Sequence, residues 1–179
     1  IMLIHQPLGD YYGSWRAMTE LYQEGRIRAI GVCNFNSDRL VDFVMNNELP
    51  PAINQVEFHP YFQQKKAEEI MREYDVQMEA WSPLGHGGKG ILENDVLVSI
   101  GKRYGKTPAQ IILRWDIERG IATIPKSVRK ERIEENFDVF DFHLTTEEIT
   151  AIDQLDRNDH IADLTDVELI KKLNQLKVR

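Results

Sequence analysis

The sequence predicts an α/β fold built on a parallel sheet, and three observations carry that expectation. Five short apolar runs recur along the 179 residues, at 2–4, 29–32, 52–56, 76–81 and 120–124. Segments with helical spacing separate them, so strand and helix alternate. Each run is followed by turn or polar residues. Strands that each feed a helix need crossovers, which run right-handed over a parallel sheet. Two architectures meet this pattern, an open doubly wound sheet and a (β/α)8 barrel. The first binds nucleotides through a glycine-rich first turn. "GHGGKG" at 85–90 follows a strand but has neither the G-x-G-x-x-G spacing nor a phosphate-loop Lys-Ser/Thr. The barrel instead places its chemistry at the C-terminal ends of several strands at once.

The elements follow in order. After the first run, residues 14–24 place Trp15, Met18, Leu21 and Tyr22 on one helical face. Ser37 is expected to cap a helix carrying Leu40, Phe43 and Val44. Further helices are expected at 64–74 and at 94–104, the latter with Leu97 and Ile100 on one side. Thr107-Pro108 is a cap followed by proline at the first helical position. It opens 109–118, with Ile111, Ile112 and Trp115 inward. Thr145-x-x-Glu148 and Thr165-x-x-Glu168 are capping-box patterns that begin two more helices. Beyond Arg157 the tail reads as helical, with Val167, Ile170, Leu173 and Leu176 recurring. No low-complexity segment or charge block marks a domain boundary.

Composition narrows the function classes. A formal net charge of −7 argues against broad nucleic-acid or anionic-membrane binding, which needs a basic face. Hydrophobic residues at 42% support a real core. No stretch approaches the roughly 18 apolar residues of a membrane span. Cys33 is the single cysteine, so no intrachain disulfide forms, and a reducing, cytoplasmic setting is expected. The opening "IMLIH" lies inside an apolar run and reads as a cut through a longer chain.

The strand ends carry the chemistry. The runs finish in His5, in Cys33-Asn34, in Gln55-x-Glu57 with His59-Pro60, in Trp81-Ser82 and in Lys126-Ser127. Singly, each has an ordinary structural reading: a satisfied core histidine, a sheet glutamine, a core tryptophan, a Ser-Pro turn. Together they put five polar or aromatic groups on one end of a parallel sheet. Glu57, His59, His86 and His143 lack the spacing of a known metal set, and no metal is expected. Lys126, Arg129, Lys130 and Arg132 put four cations into seven residues at the start of a helix. Cations there oppose the helix dipole, and a bound anion would offset that cost.

"GRIRAIGVCNF", "NQVEFHPY", "AWSPLG", "GKTPAQIILRW" and "IPKSVRKERIEEN" resemble, in collinear order from about residue 2 to 157, successive signatures of the aldo-keto reductase family. The likeness is to the bacterial-type members similar to 2,5-diketogluconate reductases. The resemblance implies a (β/α)8 barrel of which about strands 4 to 8 are present. Residues 1–157 would form five β/α units of one barrel domain, and 158–179 a helical tail. It also implies NADPH-dependent reduction of aldehydes or ketones by hydride transfer. His5 matches the catalytic histidine beside the carbonyl. Asn34 and Gln55 match the side chains holding the nicotinamide carboxamide, and Cys33 stands where serine is usual. Trp81 matches the aromatic stacked on the nicotinamide. Ser82 and Leu84 match the loop crossing the pyrophosphate. Lys126, Ser127, Val128 and Arg132 match the adenosine 2′-phosphate site, and Glu135 and Asn136 match the residues holding adenine.

The family's aspartate, proton-donating tyrosine and lysine have no counterpart here and are expected in an N-terminal part that this chain lacks. The 179-residue chain alone is therefore expected to be inactive or nearly so. Tyr11 and Tyr12 have no lysine spaced to tune them as replacements. The expected partner is a small carbonyl substrate, with NADPH/NADP+ as cofactor and no nucleic acid or membrane. The full-length protein is expected to be a monomer, and the isolated fragment to self-associate. The alternative is a non-catalytic NADPH-binding regulatory subunit or an inactive fragment.

Overall fold

Five parallel strands follow one another in the sheet order β1-β2-β3-β4-β5, with helices between them. The computed structural model describes residues 1–87 and 89–175. Two compact units divide the chain. The first comprises residues 1–56, 65–78 and 161 onward, and the second 57–64 and 79–160.

The first unit holds β1 (Met2–Ile4), α1 (Tyr11–Gln23), β2 (Ile30–Cys33), α2 (Ser37–Met45), most of β3 (Ile53–Glu57), α3 (Lys65–Glu73) and α8 (Val167–Gln175). The strands pair in parallel, Ile4 opposite Val32 and Cys33 opposite Gln55. Gly31 is required by close approach, since a Cβ there would meet the Ile53 carbonyl oxygen at 2.6 Å. Trp15, Phe35, Leu40 and Phe43 form an aromatic-rich core, with the Trp15 and Phe43 rings edge to face at 5.1 Å. Each such side chain contributes about 1.5–3 kcal/mol by leaving water. The Trp15 indole N–H donates to the Leu49 carbonyl at 3.2 Å, so burial leaves no polar debt there.

Strand β4 (Gln77–Trp81) begins in the first unit, where Gln77 N donates to Ala52 O at 3.0 Å. The second unit adds α4 (Asp95–Tyr104), α5 (Pro108–Glu118), β5 (Ala122–Thr123), α6 (Lys130–Phe137) and α7 (Thr146–Asp153). Its core stacks Phe58 on Trp115 at 5.2 Å beside Ile91, Leu97, Ile111 and Ile152. Helix α5 is buried from Ala109 to Asp116, on every face rather than one. Among the described residues, no helix is long and apolar enough to cross a membrane.

The structure corrects four local expectations. Asn36, extended at φ −61°, is the cap of α2, and Ser37 is its first helical residue. Tyr22 is 39% exposed and leaves the core of α1 to Trp15 and Met18. Thr165 does not cap α8, because its N–H and hydroxyl both turn to Asp163 Oδ1, at 2.8 and 2.6 Å. Asp166 accepts from Glu168 N instead, at 2.8 Å. The Asp166 carboxylate, a stronger acceptor than the Thr165 hydroxyl, takes the Glu168 N–H that the box pattern assigns to Thr165. The last strand is two residues, not five. Leu176 of the tail pattern lies outside the described residues.

Candidate functional site

In the first unit, β1 to β3 bring His5, Cys33, Asn34 and Gln55 together at their C-terminal ends. His5 follows β1 directly and its side chain is exposed. Asn34 follows β2 in the left-handed region at φ 61°, a conformation asparagine tolerates better than most residues. Its side-chain amide donates to the His5 carbonyl at 3.2 Å, and its backbone N–H donates to the Gln55 carbonyl at 2.9 Å. These bonds stitch three strand ends into one surface. Cys33 is buried and forms no disulfide.

Asn54, unremarked in the sequence, turns out to brace this turn. Fully buried, it accepts from Phe35 N at 3.3 Å and donates to Phe35 O at 2.8 Å. The strand period of two puts Asn54 and Gln55 on opposite faces of the sheet. The only signal of Asn54 in the sequence is a second amide beside Gln55 in the run 52–56.

Tyr11 and Tyr12 lie on α1, not at the strand ends. The Tyr12 hydroxyl donates to Asp42 Oδ2 at 2.6 Å, and that hydrogen bond, helped by burial, pushes its pKa up to about 12. A proton donor for neutral pH needs the opposite shift. The Tyr11 oxygen accepts from Arg39 at 3.2 Å.

In the second unit a pocket of about 770 Å³ gathers residues from five segments. Ser82, Leu84 and His86 come from the turn after β4, Lys126 and Ser127 from the turn after β5, and Arg132, Glu135 and Asn136 from α6. Thr107, Pro108 and Ala109, the opening of α5, also line it, as do Leu92 and Glu93. Ser82 and His86 adopt left-handed backbone, at φ 53° and 55°. Trp81 ends β4, with its ring 6.4 Å from that of His86. Val128, also expected here, is 82% exposed and does not line the pocket. Arg129 and Lys130 are exposed at the start of α6 and do not line it either.

Helix α6 buries none of its residues and is held by its C-terminal end. Lys106 Nζ donates to Asp138 Oδ2 at 2.8 Å and to Asp141 Oδ2 at 2.9 Å. These bonds raise the Lys106 pKa and lower that of Asp141. Gln110 donates to the Asp138 carbonyl at 2.8 Å, and Arg114 to the Val139 carbonyl at 3.1 Å. Three residues of the α4–α5 segment thus fix the helix that presents Arg132, Glu135 and Asn136. Chemically, the pocket lining offers a planar guanidinium fork, a point charge, a hydroxyl, a carboxylate and an amide. That donor set suits a phosphorylated nucleotide.

Glu57 and His59 form a buried pair, Oε1 to Nε2 at 3.1 Å, next to an antiparallel bridge between His59 and Phe62. His143 lies before α7 with its Nδ1 2.5 Å from Arg114 Nη2.

Comparison with known proteins bears on these observations. The chain is 46% identical over 163 residues to the 9,11-endoperoxide prostaglandin H2 reductase of Trypanosoma cruzi, covering 90% of this chain and 58% of that protein. It is 44% identical to the glyoxal reductase of Bacillus subtilis, with the same two shares. It superposes on the crystal structure of a Bombyx mori aldo-keto reductase in complex with NADP with a TM-score of 0.85, at 34% identity. That match covers 93% of this chain and 61% of that one. The chain therefore spans less than two thirds of the length of these proteins. Its strands and helices are those of part of a (β/α)8 barrel. Residues 1–157 match the model of the aldo/keto reductase family, and the chain belongs to that family.

Proposed function

We propose that the protein carrying this chain reduces small aldehydes or ketones to alcohols with NADPH. The observation that carries this reading is the second-unit pocket, which collects Ser82, Leu84, Lys126, Ser127, Arg132, Glu135 and Asn136. In this reading the Arg132 fork and the Lys126 charge hold a 2′-phosphate, with the Ser127 hydroxyl beside them. Glu135 and Asn136 bind the adenine edge, and Ser82 and Leu84 border the diphosphate. Asn34 and Gln55 orient the carboxamide, with the Cys33 thiol as a weak third donor. Trp81 offers a flat face to the nicotinamide. The cofactor, when bound, supplies a hydride. His5 orients the carbonyl by a hydrogen bond to its oxygen. Proton donation is not assigned to Tyr12, whose hydroxyl already gives its proton to Asp42, nor to Tyr11, which lies on α1 rather than at a strand end. The glyoxal reductase likeness supports small dicarbonyls as the substrate class.

The test is His5→Ala in the full-length protein. We expect kcat/KM for glyoxal to fall by about 10²-fold or more, while NADPH binding, followed by fluorescence, stays near normal. Loss of NADPH binding with kcat unchanged would overturn the role given to His5.

A further inference from the structure

We infer that Thr107 is a positioning residue for recognition of the purine, acting through Glu135. This rests on the reading of the pocket as the adenosine site. Thr107 is the N-cap of α5, and its Oγ1 accepts from Gln110 N at 3.3 Å. The same hydroxyl reaches Glu135 Oε1 at 2.6 Å, across 28 residues of sequence. A hydroxyl has one proton to give. Gln110 Oε1, the competing acceptor, is neutral and lies at 3.3 Å, so the shorter bond to the carboxylate takes the proton. One oxygen donates to Glu135 and caps a helix at the same time.

The consequence falls on Glu135. It lines the pocket beside Thr107, Pro108 and Ala109, the N-terminal turn of an 11-residue helix. That turn carries partial positive charge and favours an anion. Among the described residues the carboxylate makes no other protein hydrogen bond. With Oε1 tied to Thr107, the side chain is fixed in one orientation and Oε2 remains as an acceptor. A fixed, charged acceptor attracts the exocyclic amine of a 6-aminopurine and repels the carbonyl oxygen of a 6-oxopurine. Thr107 therefore sharpens selection of adenine over hypoxanthine through Glu135.

The discriminating ligand pair is NADPH and its deamino analogue, which carries hypoxanthine. Dissociation constants for both are measured on the full-length protein and on Thr107→Ser and Thr107→Asp. Serine keeps the cap and the donor. Aspartate keeps the cap but cannot donate and faces Glu135 with like charge. The wild type should prefer NADPH by about tenfold, the worth of one well-made hydrogen bond. Thr107→Ser should retain that ratio, and Thr107→Asp should bring it close to one. Any added repulsion of the phosphates by Asp weakens both ligands alike and cancels in the ratio. An unchanged ratio in Thr107→Asp, or equal preference in the wild type, would overturn the proposal and leave NADPH binding at this pocket standing. Absence of NADPH binding by the wild type would overturn both.

Discussion

Neither carboxyl oxygen of Asp116 has a hydrogen-bond partner among the described residues, although the side chain is fully buried in α5. Burial pushes its pKa well above the usual carboxylate range. Thr123, whose buried hydroxyl also lacks a partner at hydrogen-bond geometry, and the Arg119 charge pull it back only in part. The folded state thus binds this proton more tightly than the unfolded chain does. The stability it contributes is full below about pH 4, the unfolded value, and is lost as pH rises toward the raised folded value. Asp116→Asn carries no charge to bury. It should be the more stable protein at pH 8, by about 1–3 kcal/mol, with a flatter dependence of stability on pH above 4. Urea denaturation across pH gives both curves, and parallel curves would refute the account. The sequence does not show this group: helical spacing at 109–118 turns Ile111, Ile112 and Trp115 inward, and only the all-round burial of α5 puts its aspartate in the core.

Helix boundaries show where local signals suffice and where they compete. Thr145 and Glu148 form both bonds of a capping box, with Glu148 N donating to Thr145 Oγ1 at 3.2 Å and Thr145 N to Glu148 Oε2 at 2.8 Å. Both bonds of the box form here, so the pattern in the sequence holds. The same pattern at Thr165 fails because two aspartates, Asp163 and Asp166, flank it and take over the donors and the cap. Composition near the cap, not the four-residue motif alone, decides. Thr145→Ala should therefore cost about 1 kcal/mol of stability. Thr165→Ala should leave the helicity of α8 intact, whereas Asp166→Ala should fray it. Circular dichroism with thermal melts compares them, and a larger loss of helicity from Thr165→Ala than from Asp166→Ala would contradict the assignment. β5 shows a different limit. Its apolar run spans 120–124, but only Ala122 and Thr123 pair with β4, opposite Glu79 and Ala80. Apolar character marks what can be buried, while strand length depends on the neighbour available.

For the molecule as a whole, the alternation of strand and helix was legible because a parallel sheet leaves few ways to connect its strands. The ends of those strands were legible as a candidate site because their polar residues break apolar runs at matching positions. His5, Asn34 and Gln55 stand at adjacent strand ends for that reason, and Lys126, Ser127 and Arg132 line one pocket. What stayed hidden were supports that make no pattern: Asn54 behind the β2 turn, Thr107 under Glu135, and the Lys106 and Gln110 bonds that anchor α6. Each joins residues distant in sequence, and spacing alone cannot reveal such a bond. The same limit separates Val128 from its neighbours, since its place in the motif does not tell that its side chain faces solvent.

The central claim is that the second-unit pocket takes the 2′-phosphate of NADPH through Arg132. Arg132→Ala in the full-length protein tests it through the dissociation constants of NADPH and NADH, measured side by side. Loss of a charge-assisted, bidentate contact is worth roughly 1.5–3 kcal/mol, so NADPH should weaken about 10- to 150-fold while NADH hardly changes. An equal loss for both cofactors, or none for NADPH, would contradict the account.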